Sequence, residues 1–435
     1  MDINRKTAME ILTEVETRQA YSNIALNTFI SANKPGDQAL VREIVYGVLK
    51  NKLFIDYVLM QFIRTPLTKL KINTLTILRM GLYQLIFMHS VPEYAAVNES
   101  VNLAKKFARG QSGFINGVLR GYIRKKEELK LPNQADDLVR YLSIKYSYSE
   151  WIVKLWLSSY EADFVEALLS AGNETPRLSI RANRLKEDPD TLLEKLINEG
   201  FEAEKGQLSM DALYVKGSNL LKSPLFLSGG FSIQDESSML AVDLLDPRPG
   251  ELVIDVCAAP GGKTLYIAEK MRNQGHVIAW DIYAHKLELL DKAASRNGIA
   301  IIETKNHDST VNDPYFEKWA DRVLVDAPCS GLGVIRRKPE IKYVKAMGQI
   351  AILAVKQLEL LLAASGYVKP GGVLVYSTCT ISPEENEQVI AKFLSINTSF
   401  ELGTQKQFFP HVDHTDGFFM SKLIKRNDKD IKNFV

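Results

Sequence analysis

Residues Leu252 to Thr264 read Leu-Val-Ile-Asp-Val-Cys-Ala-Ala-Pro-Gly-Gly-Lys-Thr, and their reading decides the fold. Val253, Ile254 and Val256 form a short β-branched run, the mark of a strand. Gly261 and Gly262 then permit a sharp turn and close backbone approach to a ligand. A helix follows from Lys263 to Met271. Strand, tight loop and helix in this order bring backbone N–H groups to a ligand, as in nucleotide-type sites. Two familiar loops are excluded. A P-loop needs a glycine six residues before its lysine, where this chain has Cys257, and the three spaced glycines of a dinucleotide fingerprint are absent. An ordinary glycine turn in an α/β core is the alternative.

A chain of 435 residues, 46% of them apolar, is long enough for two or three domains with cores of their own. Residues 1–130 hold 19 Lys+Arg against 11 Asp+Glu, a surplus of 8 on a chain of net charge +2. A basic first third suits contact with a polyanion, although solvated helix faces carry lysines too. The N-terminus has acids at Glu10, Glu14 and Glu16 instead of an apolar core, so no signal peptide is expected. The longest apolar region, Ile77 to Met88, carries Arg79 and is too short to cross a bilayer. A cytoplasmic protein without membrane contact is the expectation. Cys257, Cys329 and Cys379 have no metal-type spacing, and reduced thiols are expected. His411 and His414 read as loop residues. No metal is assigned.

In the first 130 residues Ile11, Val15, Ile24, Leu26, Ile30, Leu40, Val41, Ile44, Val45 and Val48 recur at helical offsets. Ile77-Leu78-Arg79-Met80-Gly81-Leu82-Tyr83-Gln84-Leu85, the stretch from Val91 to Val101, and Phe114 to Arg120 continue the pattern. This third resembles the helical RNA-binding domain of the antitermination factor NusB. A boundary follows at Pro132-Asn133-Gln134. Residues 131–225 read as a small α+β module, with an aromatic-rich helix around Trp151 and Trp156 and a strand at Arg177 to Arg181. Arg177, Arg181 and Arg184 either meet RNA phosphates or face solvent. Residues 226–435 alternate strands and helices, with strands at His276–Asp281, Ile301–Thr304, Arg322–Asp326 and Gly372–Ser377. That pattern predicts a doubly wound, mainly parallel Rossmann-like sheet with its site at the carboxyl ends of the strands.

Asp281, 26 residues after Asp255, stands where a carboxylate commonly accepts from both ribose hydroxyls of a nucleoside cofactor; a helix cap is the plainer role. Asp308 follows the next strand and is placed to accept from an adenine amino group, or simply to end the strand. Asp326-Ala327-Pro328-Cys329-Ser330-Gly331 closes the fourth strand. The fifth ends as Tyr376-Ser377-Thr378-Cys379-Thr380, and Ser382-Pro383-Glu384-Glu385 reads as a capping box, which puts Cys379 just before a helix N-terminus. Two thiols at adjacent strand ends suit one difficult reaction. The C5 carbon of cytosine is a poor nucleophile until a thiolate adds at C6. A free thiol titrates near about 8.5, so a helix N-terminus or a cation nearby would favour that thiolate.

These motifs, with Gln234-Asp235-Glu236-Ser237-Ser238 and Asp416-Gly417-Phe418-Phe419, resemble the RNA cytosine-5 methyltransferases that use S-adenosylmethionine. With the NusB-like third in front, the resemblance covers nearly the whole chain and points to the branch acting on small-subunit ribosomal RNA. It implies that Cys257, Ala258, Ala259, Pro260, Gly261, Gly262 and Lys263 cradle the methionine part of the cofactor, Asp281 the ribose and Asp308 the adenine. Asp326 would border cofactor and cytosine. Cys379 would be the nucleophile and Cys329 would help release the product. Arg336, Arg337 and Lys338 would clamp RNA by neutralising phosphates. A monomer is expected. The same chemistry on transfer RNA, or a noncatalytic RNA-binding or antitermination factor, are the alternatives.

Overall fold

The structure, a computed structural model, describes residues 2–18, 20–344 and 346–427, which gather into two compact units. One comprises the chain to Glu174 together with Ile335–Ala346; the other comprises the rest.

Helices Ile3–Arg18, Ser22–Asn33, Gln38–Lys50, Lys52–Phe62, Ile72–Phe87, Glu93–Phe107 and Ser112–Lys125 build the first unit, and Leu138–Tyr146, Glu150–Leu157 and Ala162–Ala171 extend it. Ile11, Val15, Leu26, Ile30, Val41, Ile44, Val45 and Val48 share one core with Ile77, Leu78 and Leu82, as the helical spacing predicts. Ile24 does not, being 58% exposed, because the stripe of its helix runs through Ala25, Leu26 and Ile30. The helix Ile72–Phe87 is buried without interruption from Thr74 to Gln84. Its charged Arg79 is tolerated there because it donates to both oxygens of Asp56, at 2.7 Å each. Asp37 and Asp137 cap the helices that follow them by accepting from Leu40 N–H and Arg140 N–H.

The stretch Ile335–Ala346 packs within this unit. Glu340 accepts from the Ser22 N–H at 3.1 Å and hydroxyl at 2.9 Å. Lys342 is fully buried; its ammonium donates to the carbonyls of Lys50 (3.0 Å) and Tyr146 (3.3 Å) and to Asn173 Oδ1 (2.5 Å), and lies 3.9 Å from the centre of the Tyr148 ring. Burial holds this amine well below the usual lysine range. The three cations read as a phosphate clamp are therefore unlike one another. Arg336 is only 8% exposed, which leaves its guanidinium little surface for RNA, whereas Arg337 and Lys338 are half-buried.

In the second unit, β1 (Ser179–Ala182), β2 (Glu202–Lys205), β3 (Ala212–Lys216) and β4 (Phe231–Ile233) form an antiparallel sheet of order β2-β3-β1-β4. Ile180, Leu213, Val215 and Phe231 pack there against Leu192 and Leu196 of the helix Pro189–Asn198. A larger sheet holds β5 (Leu252–Asp255), β6 (His276–Asp281), β7 (Ile302–Asn306), β8 (Ala320–Asp326), β9 (Val368–Thr378), β10 (Phe400–Phe408) and β11 (Phe418–Lys425) in the order β10-β11-β9-β8-β5-β6-β7. β5 to β9 pair in parallel, and β11 joins β9 antiparallel.

Alternate residues of the same strands enter two separate cores. Val253, Val277, Leu324 and Val375 meet helices Glu236–Leu245 and Gly262–Lys270. Ile254, Ile278, Val323, Val325, Leu374 and Tyr376 meet helices Met347–Tyr367 and Glu387–Ile396. Apolar residues on both faces are what a parallel sheet covered by helices requires. The helix Met347–Tyr367 corrects the expectation about apolar length. It has 21 residues and is long and apolar enough to cross a bilayer by length and composition alone, while Leu360, Leu361 and Ala364 lie buried in the core on β8 and β9.

Both readings of Arg181 are overturned. Its side chain is wholly buried, pairs with both oxygens of Glu269 at 3.0 and 2.7 Å, stacks over Tyr266, and donates to Gln234 and, at 2.8 Å, to the Gly262 carbonyl. The cause is the helix Gly262–Lys270, which covers that face of β1. Arg177, stacked 3.7 Å from the Tyr214 ring centre and paired with Glu204, and Arg184, paired with Asp211, stay partly exposed. Arg181→Ala is expected to destabilise the protein by about 3–5 kcal/mol, because Glu269 is left charged and buried. Thermal unfolding of the full chain measures it; an unchanged transition would contradict the assignment.

Candidate active site

The chain crosses from β5 to β6 and β7 on one side and returns to β8 and β9 on the other, so the crevice opens at the carboxyl end of β5. A cavity of about 290 Å³ lies there, lined by Cys257, Ala259, Asp281, Ile282, Tyr283, Lys286, Asp308, Ser309, Asp326, Pro328, Cys329, Lys356, Leu360 and Cys379 among others.

The glycine loop is set by its neighbours. Gly261 has φ +111°, and a Cβ there would lie 2.4 Å from Leu290. Asp255 is buried behind the loop, accepts from the Thr264 hydroxyl at 2.8 Å, and is pushed up to about 7 by burial. Of the loop residues only Cys257 and Ala259 line the cavity; Ala258, Pro260, Gly261 and Gly262 shape the turn. Lys263 leaves the loop to pair with Asp326 at 2.7 Å, its ammonium 5.1 Å from the Phe418 ring centre. Cys257 is pushed well above the usual thiol range by burial and by Asp255, Asp326 and Asp281, which suits packing and not attack.

Asp281 accepts from Ala259 N–H at 3.2 Å and Tyr283 N–H at 2.9 Å, which ties the β6 end to the loop. Asp308 turns the chain after β7 by accepting from Thr310 N–H and its hydroxyl, and these bonds hold its carboxyl below the usual range. Asp326 accepts from Ser377 Oγ at 2.8 Å as well as from Lys263.

Asp326 stands opposite Ser377 in the β8–β9 register, so the loops after these strands run together. Cys329 Sγ and Cys379 Sγ are 3.4 Å apart. Contact with Cys379, then burial and the charge of Glu385, push the Cys329 thiol well above its usual range, so Cys329 is held protonated. The capping box at Ser382 is not realised. Residues 383–386 form a turn and the helix begins at Glu387, because the Glu385 carboxylate accepts instead from Ser330 N–H (2.8 Å) and the Ser330 hydroxyl (2.5 Å). The expected helix N-terminus beside Cys379 is therefore displaced.

The other quoted motifs converge on the same loops. Gly417 N–H donates to Gly333 O at 2.9 Å, and a Cβ on Gly333 would come within 1.8 Å of Gly417 O, so the Asp416-Gly417 turn lies directly on the Pro328-Cys329 loop. Asp416 N–H reaches Asp235 Oδ1, and Asp235 also caps the helix Glu236–Leu245. Sequence reasoning missed Ile282, Tyr283, Lys286, Ser309 and Lys356 of the cavity wall. Only adjacency to Asp281 and Asp308 signalled the first two and Ser309; Lys356 was hidden in an apolar helix. Among the described residues no group of three or more His, Cys, Asp or Glu side chains is arranged to hold a metal ion. The lining fits S-adenosylmethionine in chemical kind: the carboxylates of Asp281 and Asp308 can accept from hydroxyl and amine donors, and Ile282, Pro328 and Leu360 offer an apolar surface.

The family model described as NusB family matches residues 2–124, that of the Methyltr_RsmF/B-like ferredoxin-like domain matches 148–220, and that of the 16S rRNA methyltransferase RsmB/F matches 242–424. The probable ribosomal RNA small subunit methyltransferase B of Bacillus subtilis is 40% identical, over 97% of this chain and 98% of its own. The ribosomal RNA small subunit methyltransferase B of Klebsiella pneumoniae is 35% identical over 98% and 99%. A crystal structure of the protein PH0851 superposes with a TM-score of 0.84 at 27% identity, over 97% of this chain and 98% of that one. A helical NusB-type domain, a ferredoxin-like module and a Rossmann-like sheet bearing paired thiols thus occur together here, and the chain belongs to the 16S rRNA methyltransferase RsmB/F family.

Proposed function

We propose that this protein methylates C5 of a cytosine in small-subunit ribosomal RNA, with Cys379 as the nucleophile. The observation that carries the reading is the 3.4 Å contact between Cys379 and Cys329 in the wall of the cofactor cavity. S-adenosylmethionine is the cofactor of this methyltransferase, and when bound it supplies an electrophilic methyl group. Asp281 would accept from its ribose hydroxyls, Asp308 from its adenine amine, and Cys257 and Ala259 would face its methionine part.

Cys379 Sγ adds to C6 of the target base, and the electron pair released through the ring makes C5 nucleophilic. After methylation the C5 proton passes to water, its bonding pair forms the C5–C6 double bond, and the Cys379–C6 pair leaves on sulfur as the thiolate, restoring the aromatic ring. Cys329, held as a thiol against Cys379, is positioned as a hydrogen-bond donor to that sulfur as it attacks and departs. Asp326, anchored by Lys263 and Ser377, would border the cytosine. The base must leave its stack to reach this crevice. The helical domain, the ferredoxin-like module, and Arg337 with Lys338 would select the RNA site; Arg336 contributes less to phosphate contact because it is buried. Because the substrate is ribosomal RNA, the cytoplasm is the place of action.

Cys329→Ala is expected to accumulate a covalent protein–RNA adduct on a denaturing gel, and Cys379→Ala to form none; the reverse pattern would exchange the two roles. Asp281→Ala should weaken S-adenosylhomocysteine binding by about tenfold or more in calorimetry, the loss of a charged hydrogen-bond acceptor. Unchanged affinity would remove Asp281 from the cofactor site.

A further inference from the structure

Glu385 is wholly buried, and removing a carboxylate from water is costly unless donors compensate it. Here they converge from both thiol loops. Oε1 accepts from Ser330 N–H at 2.8 Å and Gln357 Nε2 at 3.0 Å, and Oε2 from the Ser330 hydroxyl at 2.5 Å. The Ser330 hydroxyl oxygen lies 2.6 Å from Thr380 Oγ1, which itself reaches Oε2 at 3.5 Å. Gln357 also donates to the Pro328 carbonyl at 3.0 Å. Pro328 and Ser330 flank Cys329, and Thr380 follows Cys379. The turn that carries Glu385 is pinned in its turn by Tyr376 OH, which donates to the Glu385 carbonyl at 2.6 Å.

We propose that Glu385 is a positioning residue for the reaction: its carboxylate fixes the neighbours of both cysteines and so holds the two sulfurs in contact. A carboxylate accepts from the two N–H donors at Oε1 and from the hydroxyls at Oε2 at once. A glutamine keeps the volume but loses the charge and places an NH2 group against the Ser330 hydroxyl, which must turn from donor to acceptor and so reorder the bonds to Thr380. The catalytic part of this inference rests on the reading of Cys379 and Cys329 given above, whereas the geometric part does not.

Two measurements on the full chain separate these parts. The first is the rate at which Cys329 and Cys379 couple to a disulfide under diamide, which takes up the two thiol hydrogens as it is reduced to the hydrazine; peptide mass spectrometry reads the product. The second is kcat and KM for methylation of small-subunit RNA. Glu385→Gln is expected to slow the coupling about tenfold or more and to lower kcat about 100-fold, the scale of a misplacement near 1 Å. Its KM for S-adenosylmethionine and its affinity for S-adenosylhomocysteine should stay within about twofold of the parent. Glu385→Asp, which keeps both oxygens, should recover part of each rate. Parental coupling and kcat in Glu385→Gln would overturn the proposal, and so would a parallel loss of S-adenosylhomocysteine affinity and thermal stability, which marks a merely structural residue. Slowed coupling in a protein whose parent methylates no cytosine would fault the function and leave the positioning standing.

Discussion

Parallel strands that end level with each other oblige the loops that leave them to run side by side, and at β8 and β9 this constraint sets the chemistry. With Asp326 opposite Ser377 and accepting from its hydroxyl at 2.8 Å, Cys329 and Cys379, which are 50 positions apart in sequence, meet at 3.4 Å. The register itself is held by burial. Val323, Val325, Leu374 and Tyr376 face one core while Leu324 and Val375 face another, so a slip of one residue would move every one of these side chains to the wrong face. The two cores differ in shape, so side chains moved between them would clash or leave gaps. The thiol contact is thus a consequence of sheet packing, refined by the polar network around Glu385.

A second constraint acts on the cofactor side. Arg181 comes from the small sheet, yet its guanidinium ends on the Gly262 carbonyl and on Glu269, at opposite ends of the helix that follows the glycine loop. The loop therefore takes its position from the ferredoxin-like module as well as from β5. Lys263 and Asp326 connect the loop to the thiol side, so the glycine loop and the ends of β8 and β9 share one hydrogen-bonded frame.

The parts of this frame differ in how visibly they are written. The parallel strands could be read directly, because β-branched runs broken by glycine turns have few other uses, and both cysteines and Asp326 were legible as strand-end residues. β10 and β11 were not read. β10 is exposed from Glu401 to Lys406, and an edge strand of that kind carries no apolar alternation to signal it. Arg181 sits in a recognisable strand, but nothing local says that a helix some 80 positions later will cover it and supply Glu269 (separation 88). The Ser382–Glu385 box misled for the same reason. The local signal was genuine, and Ser330, 55 positions earlier, outcompeted it for the carboxylate. Site residues on helices, such as Lys356 and Gln357, were invisible because an apolar helix gives no sign of which turn reaches a cavity.

The most direct measurement of the central claim is bisulfite sequencing of ribosomal and transfer RNA from a strain lacking this gene, beside its parent and the same strain complemented with the chain. The account predicts one cytosine of small-subunit ribosomal RNA that resists conversion in the parent, converts fully in the deletion strain and regains resistance on complementation. Loss of protection confined to transfer RNA, or no difference at any cytosine, would contradict it.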